Sequence, residues 1–329
     1  MASSADRILA WLRAANAPVS GEELARRLGV SRAAVFKQVE ALRARGYGIE
    51  AGHAQGYVLA ATPDRLDATE LGPRLTGCWR RIEWHAEVDS TQRVARELAR
   101  DGAPEGTVVI AEAQSAGRGR LGRTWHSPPG TNLYCSILLR PAVSPAVVPQ
   151  VALAAGLGVA EAIETLGLAP LLKWPNDILL DGKKAVGILT EMEAEVERVH
   201  LVILGIGVNL NGGTDDFPPY LQDKATSLAI AAGRRIDRVD FAARLLVAVE
   251  DVYARFIATG FAGLREAWER RAALTGFLVT VGGAGVAGGE VEGRVTGIDD
   301  DGALRLMDGA GAGHRIVAGE VTIRGGYAR

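Results

Sequence analysis

Cysteine is scarce in this chain of 329 residues, because Cys78 and Cys135 are its only two thiols. Two isolated thiols predict neither a disulfide-stapled scaffold nor a zinc site built on paired cysteines. They indicate a reducing compartment, so we expect a cytoplasmic protein. The N-terminal residues have an amphipathic pattern instead of a charged start and a continuous apolar segment, so no signal peptide is predicted.

Long uninterrupted apolar runs are also missing. The longest apolar segment, Val151–Leu172, is broken by Glu161, Glu164 and Pro170, and it predicts a buried helix followed by a strand. We therefore predict no membrane span. The formal net charge is only −2, which excludes a globally basic nucleic-acid coat but allows a local basic module.

The first 63 residues predict a helix-turn-helix followed by a small wing. Ser20 and Ser31 are suited to cap two short helices across a glycine-containing turn. The second helix is predicted to bury three apolar residues at helical spacing, Val35, Val39 and Leu42. Two short strands, Tyr47–Glu50 and Tyr57–Ala60, would form the wing.

This first segment is basic, unlike the chain as a whole. Its eight basic residues against five acidic ones give a local charge of +3. Arg32 and Lys37 fall near the start of the second helix, the end that faces base edges and phosphates in a helix-turn-helix. A three-helix interaction module with both side chains solvated is the alternative interpretation.

The remainder divides into two segments with different patterns. Residues 64–271 mix helix and strand patterns, including a hairpin at Asp181-Gly182, and predict a central α/β domain. Residues 272–329 contain short strand patterns separated by glycine-rich turns, which predict a small β-barrel with a hairpin tip at 282–289.

The most informative stretch is an arginine loop, defined as Gly117-Arg118-Gly119-Arg120-Leu121-Gly122-Arg123-Thr124-Trp125. Its three arginines can hold several anionic oxygens, and its glycines let the backbone approach a ligand closely. Taken alone, the pattern also fits a flexible surface loop or an arginine-glycine segment that binds nucleic acid.

Three further motifs accompany this loop along the chain: Asp89-Ser90-Thr91, Lys173-Trp174-Pro175-Asn176-Asp177 and Gly205-Ile206-Gly207-Val208-Asn209. Together the four motifs resemble those of biotin protein ligases. The segment Ser31–Lys37 resembles the bifunctional members, which also repress transcription of biotin genes. The resemblance spans all three segments.

The resemblance implies an α+β multidomain chain with three parts. These are a winged helix-turn-helix DNA-binding domain at 1–63, a central α/β biotin/lipoate-ligase-like catalytic domain at 64–271, and a C-terminal SH3-like β-barrel at 272–329. It also implies that biotin and ATP react to form biotinyl-5′-AMP and that biotin then passes to a lysine. Mg²⁺ would enter with ATP, bound through phosphate oxygens, so no dedicated metal ligands are predicted.

The partners implied by the resemblance are a protein and a nucleic acid. The protein is the biotin carboxyl carrier domain of acetyl-CoA carboxylase or of a related carboxylase. The nucleic acid is operator DNA, bound by a homodimer that the ligand promotes.

The implied catalytic residues are two arginines, a lysine and a carboxylate. Arg118 would hold the biotin carboxylate and Arg120 the developing phosphate. Lys184 would lie against the acyl-phosphate, and Asp177 would orient or activate the acceptor lysine. From the strand alternation, Lys184 is predicted on the face of Val186 and Ile188, with Lys183 solvated on the other face; a snorkelling Lys184 is the alternative.

The resemblance also implies three binding sets. The biotin-binding set is Ser90, Thr91, Gln92, Gln114, Arg118, Gly119, Arg120 and Lys184. The nucleotide-binding set is Arg120, Arg123, Trp125, Asn176 and Asn209. The DNA-binding set is Ser31, Arg32, Ala33, Phe36 and Lys37.

Several of these residues have simpler explanations. Ser90 and Thr91 are also suited to cap a helix, Gln114 to end a strand, and Arg123 to remain solvated. Gln92 departs from the asparagine that the family pattern leads us to expect. The family's aromatic cover over adenine has no counterpart in residues 222–228.

Two other functions compete with a ligase. A transcription regulator that senses biotin without transferring it needs no catalytic lysine, arginine and aspartate set, which this sequence contains. A lipoate-type ligase on the same scaffold is expected to lack the Gly-Arg-Gly-Arg loop. The sequence identifies neither the acceptor protein nor the operator.

Overall fold

The structure is a computed structural model that describes residues 3–52, 56–283 and 289–323. The chain forms two compact units, Met1–Arg65 and Leu66–Arg329. The prediction that the C-terminal segment is a domain of its own, beginning at residue 272, stays a prediction. In the structure that segment and the central one share a hydrophobic core.

The first unit is a helix-turn-helix with a two-stranded wing. Its elements are α1 (Ser4–Ala14), α2 (Gly21–Leu28), α3 (Arg32–Ala44), β1 (Gly48–Gly52) and β2 (Gly56–Ala61). The hydroxyls of Ser20 and Ser31 accept hydrogen bonds from the first-turn backbones of α2 and α3, which confirms both predicted caps. The predicted stripe is confirmed too, since Val35, Val39 and Leu42 are fully buried. Residues 53–55 of the predicted wing lie outside the described residues.

The second unit begins with a mixed set of helices and strands. Its helices are α4 (Ala68–Leu71), α5 (Thr91–Arg100), α6 (Val148–Glu164), α7 (Leu228–Ala232), α8 (Arg238–Thr259) and α9 (Arg265–Glu269). Its first seven strands are β3 (Arg81–Val88), β4 (Thr107–Gln114), β5 (Leu133–Leu139), β6 (Leu171–Lys173), β7 (Asp177–Leu180), β8 (Lys183–Ala194) and β9 (Val199–Val208). A 3₁₀ turn precedes α9.

These seven strands form one sheet in the order β3-β4-β5-β9-β8-β7-β6. The β3–β4 pair is parallel and the other neighbours are antiparallel. The β7–β8 hairpin turns at Asp181 and Gly182, which both have positive φ, as predicted for this dipeptide.

The two faces of the sheet have different partners. On one face, α6 and α8 pack closely, and a Cβ on Gly158 of α6 would lie only 2.7 Å from Val249 Cα. On the other face, α5 covers a smaller apolar cluster that includes Val109 and Leu138. Among the described residues, one helical stretch, Pro145–Glu164, is long and apolar enough to cross a membrane. Of its most apolar part, 72% is buried inside the structure, and the buried core helices of proteins often have the same length and composition.

The C-terminal segment forms a five-stranded antiparallel sheet in the order β13-β12-β11-β10-β14. Its strands are β10 (Leu278–Gly282), β11 (Glu290–Ile298), β12 (Leu304–Met307), β13 (Gly313–Ile316) and β14 (Glu320–Ile323). The predicted short strands are confirmed, and a break at residues 317–319 separates β13 from β14. Residues 284–288 of the predicted hairpin tip lie outside the described residues.

Candidate functional site

A cavity of about 400 Å³ opens on the sheet face that α5 covers. Every residue that the sequence assigned to catalysis, biotin or the nucleotide contributes to its wall. They come from five separate stretches: the start of α5, the end of β4, the arginine loop, the β7–β8 hairpin and the end of β9. The structure therefore brings the whole set together, while the individual roles stay predictions.

A network of polar side chains fixes one end of the cavity. The Gln114 Oε1 atom accepts hydrogen bonds from the Thr91 backbone at 2.9 Å and from the Thr91 hydroxyl at 3.2 Å. The Gln114 amide donates to Ser127 Oγ, and the Ser136 hydroxyl donates to Thr91 Oγ1. These bonds hold Thr91 and Gln114 in one orientation before any ligand arrives.

Two polar atoms at this end are buried without a hydrogen-bond partner among the described residues, Ser90 Oγ and Gln92 Oε1. Ser90 occupies the N-cap position of α5, but its side chain makes no capping bond, so the interpretation of Ser90 as a cap is wrong. The Gln92 amide donates to the Leu189 carbonyl at 2.9 Å. A ligand with matching polar groups would satisfy both orphan atoms, whose burial is otherwise unfavourable.

The arginine loop is held by its own backbone. The Gly119 and Trp125 amides donate to the Arg123 and Gly117 carbonyls at 2.7 and 2.8 Å. Leu121 adopts a positive φ of 55° with an exposed side chain. These bonds and this φ make the loop a compact turn.

Each arginine of the loop already has a partner within the protein. Arg118 pairs with Glu191 at 3.0 Å and Arg123 with Glu320 at 2.8 Å. Arg120 donates to the Asn176 side chain at 2.9 Å and to the Gly319 carbonyl at 3.1 Å. The break between β13 and β14 places this carbonyl where Arg120 reaches it. Burial lowers the pKa of the Arg120 guanidinium from its ordinary value.

Trp125 lies on a floor made by two glycines. A Cβ on Gly207 would lie 2.6 Å from the indole Cε2 and Nε1 atoms, and one on Gly187 would lie 2.7 Å from Cζ3. Both are closer than side chains tolerate, so the indole needs glycine at these positions. The indole N–H is buried without a partner among the described residues.

Lys184 points into the cavity, but regular strand alternation does not explain this orientation. Ala185 is an extra residue in the β7–β8 pairing, because Leu179 pairs with Lys184 and Ile178 with Val186. This bulge shifts the alternation by one. Lys184 therefore lies on the face of Gly187, where an added Cβ would be 3.2 Å from Lys184 Cε, and this is the face opposite Ile188. The prediction that Lys184 shares a face with Ile188 is wrong.

The ammonium of Lys184 has two neighbours in the cavity. Its Nζ lies 2.6 Å from Asp177 Oδ1 and 5.3 Å from the centre of the Trp125 ring. The predicted solvation of Lys183 is wrong as well, since its Nζ donates to the Gln222 carbonyl at 3.2 Å.

Two asparagines of the predicted nucleotide set also brace the backbone. The Asn209 amide donates to the Thr226 carbonyl at 3.1 Å, and the Asn176 amide donates to the Ile188 carbonyl at 2.8 Å. Each side chain therefore has a structural function in the absence of a nucleotide, and its contact with one stays a prediction.

Several cavity residues had no assigned role in the sequence interpretation: Lys173, Phe217, Leu221, Lys224 and Glu320. Burial is the main cause that lowers the pKa of Lys173, while Asp177 opposes the shift. Lys173 stands in the Lys173–Asp177 motif, which offered a signal for it. The others lie outside all four motifs.

Metal ligands do not cluster in the described parts of the chain, where no three His, Cys, Asp or Glu side chains group together. The two cavity carboxylates, Asp177 and Glu320, are each paired with a cation. The donor set thus suits a metal that arrives already bound to an anionic ligand.

The first unit has a candidate surface of its own at the start of α3. The five residues predicted to contact DNA, Ser31, Arg32, Ala33, Phe36 and Lys37, are all exposed. Phe36 is 53% exposed, which is unusual for a large apolar side chain. The apolar stripe of α3 faces the core, so these side chains form its solvent face.

Comparison with known proteins gives matches along almost the whole chain. Family profiles match at residues 5–58 (HTH domain), 84–209 (Biotin/lipoate A/B protein ligase family) and 280–324 (Biotin protein ligase C terminal domain). The Bifunctional ligase/repressor BirA of Bacillus subtilis (strain 168) is 42% identical over 309 residues, which cover 93% of this chain and 94% of that protein.

Two further relatives extend the comparison. The Biotin--[acetyl-CoA-carboxylase] ligase of Paracoccus denitrificans is 38% identical over 235 residues, 69% of this chain and 94% of that protein. The solved structure of the biotin protein ligase from Aquifex aeolicus in complex with biotin and ATP has a TM-score of 0.64 and 30% sequence identity. That match covers 74% of this chain and 99% of the solved chain.

Proposed function

The chain belongs to the biotin protein ligase family, and we propose that it activates biotin with ATP and attaches it to a lysine of a biotin carboxyl carrier domain. One observation carries this proposal: a single cavity is lined both by buried polar atoms without partners among the described residues, Ser90 Oγ and Gln92 Oε1, and by a group of cations. Biotin has chemistry that matches both, an uncharged ureido ring and a carboxylate.

In the first step, a biotin carboxylate oxygen attacks the α-phosphorus of ATP, and the bond to the bridging oxygen breaks to release pyrophosphate. Two anionic groups must meet, so positive charge is needed at the reacting centre. Arg120, Lys173 and Lys184 line the cavity and supply it. Mg²⁺ supplies further charge neutralisation when it arrives on the phosphate oxygens of ATP.

In the second step, the amine of the acceptor lysine attacks the acyl carbonyl, and AMP leaves. The amine must lose a proton to become a nucleophile. Asp177 is the carboxylate that we assign to orient it and to accept the proton, since Asp177 lies beside Lys184 at the reacting centre.

The acceptor that we propose is the biotin carboxyl carrier domain of acetyl-CoA carboxylase or of a related carboxylase. The support is the relative from Paracoccus denitrificans, which is named for acetyl-CoA carboxylase. The match to this chain covers 94% of that relative's length. Biotin, ATP and the proposed acceptor all take part in metabolism. Cys78 and Cys135 form no disulfide. We therefore propose that the protein acts in the cytoplasm.

The proposed function is tested by mixing the purified chain with ATP, labelled biotin and a biotin carboxyl carrier domain. Label on the carrier lysine is expected, and lipoate in excess should not compete. Adenylate formation without carrier labelling would favour a biotin-sensing regulator instead. Suppression by lipoate would favour a lipoate-type ligase.

We also predict that the arginine loop opens without ligand and closes with it. Its anchors to Glu191 and Glu320 involve arginines that are 48% and 68% exposed, and exposed ion pairs hold weakly, with roughly 0–1 kcal/mol each. An arginine-specific protease should cut the free protein between Arg118 and Arg123, and saturating biotinyl-AMP should suppress those cuts. Equal cutting in both states would contradict this prediction.

The first unit is proposed to bind operator DNA as part of a ligand-promoted homodimer. A single module with a charge of about +3 makes few phosphate contacts and so should bind weakly. Two copies on a two-fold operator would double those contacts. Biotinyl-AMP can promote pairing only by favouring the state that dimerises.

This regulatory proposal predicts two results. Sedimentation should show a monomer that shifts to a dimer with biotinyl-AMP. The double variant Arg32→Ala with Lys37→Ala should lose operator binding by roughly tenfold or more while its carrier labelling is unchanged. A monomer under all conditions, or unchanged operator binding, would remove the repressor and leave the ligase.

A further inference from the structure

A chain of ion pairs connects the arginine loop to α5 through the end of β8. Arg118 Nη2 lies 3.0 Å from Glu191 Oε1, and Arg118 Nη1 lies 3.4 Å from Oε2, so the guanidinium contacts both carboxylate oxygens. Arg96 of α5 contacts the same carboxylate at 3.0 Å. The Glu191 side chain is only 19% exposed. Glu191 is thus the mostly buried partner that both arginines share, and it determines where the guanidinium of Arg118 lies.

Glu191 itself stands outside the cavity. Along β8 the lining ends at Leu189, whereas Arg118 belongs to the lining. The guanidinium of Arg118 is therefore bound to a carboxylate beyond the wall, although a ligand anion in the cavity needs the same donors. We propose that Glu191 is an affinity-determining residue, which occupies Arg118 in the free protein and must yield it to the anionic group of the ligand. This inference rests on the proposed function, which supplies that anion as the carboxylate of biotin.

The proposal differs from a purely structural function in the sign of its effect. A guanidinium that is shared between an internal and an external carboxylate is free for the ligand only part of the time, and the apparent affinity falls by that fraction. Removing the internal carboxylate should then strengthen ligand binding. If Glu191 served only to hold the loop in shape, its removal would weaken binding.

The test is Glu191→Gln, which keeps the size of the side chain and removes its charge. Arg96 retains Glu193 at 3.3 Å, so α5 stays tied to β8. We expect the Kd for biotin in titration calorimetry to fall by about twofold to fivefold. We also expect an arginine-specific protease to cut the free protein faster between Arg118 and Arg123, because the loop has lost one anchor.

Glu193→Gln is the matched control. Glu193 lies two residues further along β8 and pairs with Arg96 and Arg100. Its removal should leave the Kd for biotin unchanged. In an Arg118→Ala background, Glu191→Gln should have no further effect on the Kd, since the residue through which it acts is gone.

The outcomes separate this inference from the proposed function. If the unaltered protein binds biotin and Glu191→Gln binds it equally or more weakly, the affinity-determining role of Glu191 is wrong and the ligase proposal stands. If the unaltered protein binds no biotin, the proposed function is wrong and the inference with it. A gain in affinity that persists in the Arg118→Ala background would also overturn the role through Arg118.

Discussion

Replacing Lys184 with alanine is expected to lower the rate of pyrophosphate release by about 100-fold or more while the fold survives. The ammonium of Lys184 stands in the cavity beside Asp177 and above Trp125. Its positive charge stabilises the negative charge that develops as the biotin carboxylate meets the α-phosphorus. A charge that acts mainly in the transition state affects the rate more than substrate binding. Pyrophosphate release at saturating substrates measures this, with circular dichroism to check folding.

Lys183→Ala is the control for this variant. It removes the same charge from the adjacent residue, whose Nζ is bound to the Gln222 carbonyl, away from Asp177. Its rate should stay within a few fold of the unaltered protein. Near-normal release by Lys184→Ala, or an equal loss in both variants, would contradict the assignment of Lys184 to the reacting centre.

The local structure of the first unit could be predicted because its signals lie within a few residues of each other. A serine three residues before a backbone amide of the first helical turn is well placed to cap the helix, and both Ser20 and Ser31 have this function. The stripe of Val35, Val39 and Leu42 follows from helical spacing alone.

Residue spacing does not predict the structure where a local irregularity interrupts it. Strand alternation put Lys184 on the face of Ile188, but the extra residue Ala185 in the hairpin moved it to the other face. The resemblance still put Lys184 among the site residues, and Lys184 lines the cavity, because the resemblance depends on the residue pattern and not on its geometry. Ser90 is a comparable case, since its position before α5 is that of a cap but its hydroxyl makes no capping bond.

The partners of the arginine loop could not be predicted from the sequence at all. Arg118 pairs with Glu191, Arg120 with the Gly319 carbonyl and Arg123 with Glu320, at separations of 73, 199 and 197 residues. No periodic pattern connects positions so distant. Three arginines in one loop repel each other, and in the structure oxygens of the protein offset that repulsion.

The glycines of β8 and β9 make room for neighbouring side chains. Gly207 stands in the Gly205–Asn209 motif. In the structure the space above Gly207 is filled by Trp125, whose indole lies within van der Waals distance of the bare backbone. Gly205 similarly makes room for Gln92, with a Cβ position only 2.6 Å from Gln92 Nε2. Both glycines therefore position side chains that line the cavity.

This arrangement predicts that Gly207→Ala weakens ligand binding by about tenfold or more. The new methyl group would lie 2.6 Å from the indole, and a rigid ring pinned by the loop backbone can relieve that contact only by rising into the cavity. The Kd values for biotin and ATP from calorimetry, and the intrinsic tryptophan fluorescence, should both change. Gly313→Ala is the control, because a Cβ there meets no atom within 4 Å, and it should bind both ligands as the unaltered protein does. Unchanged affinity in Gly207→Ala would mean that the indole position has no influence on the ligand.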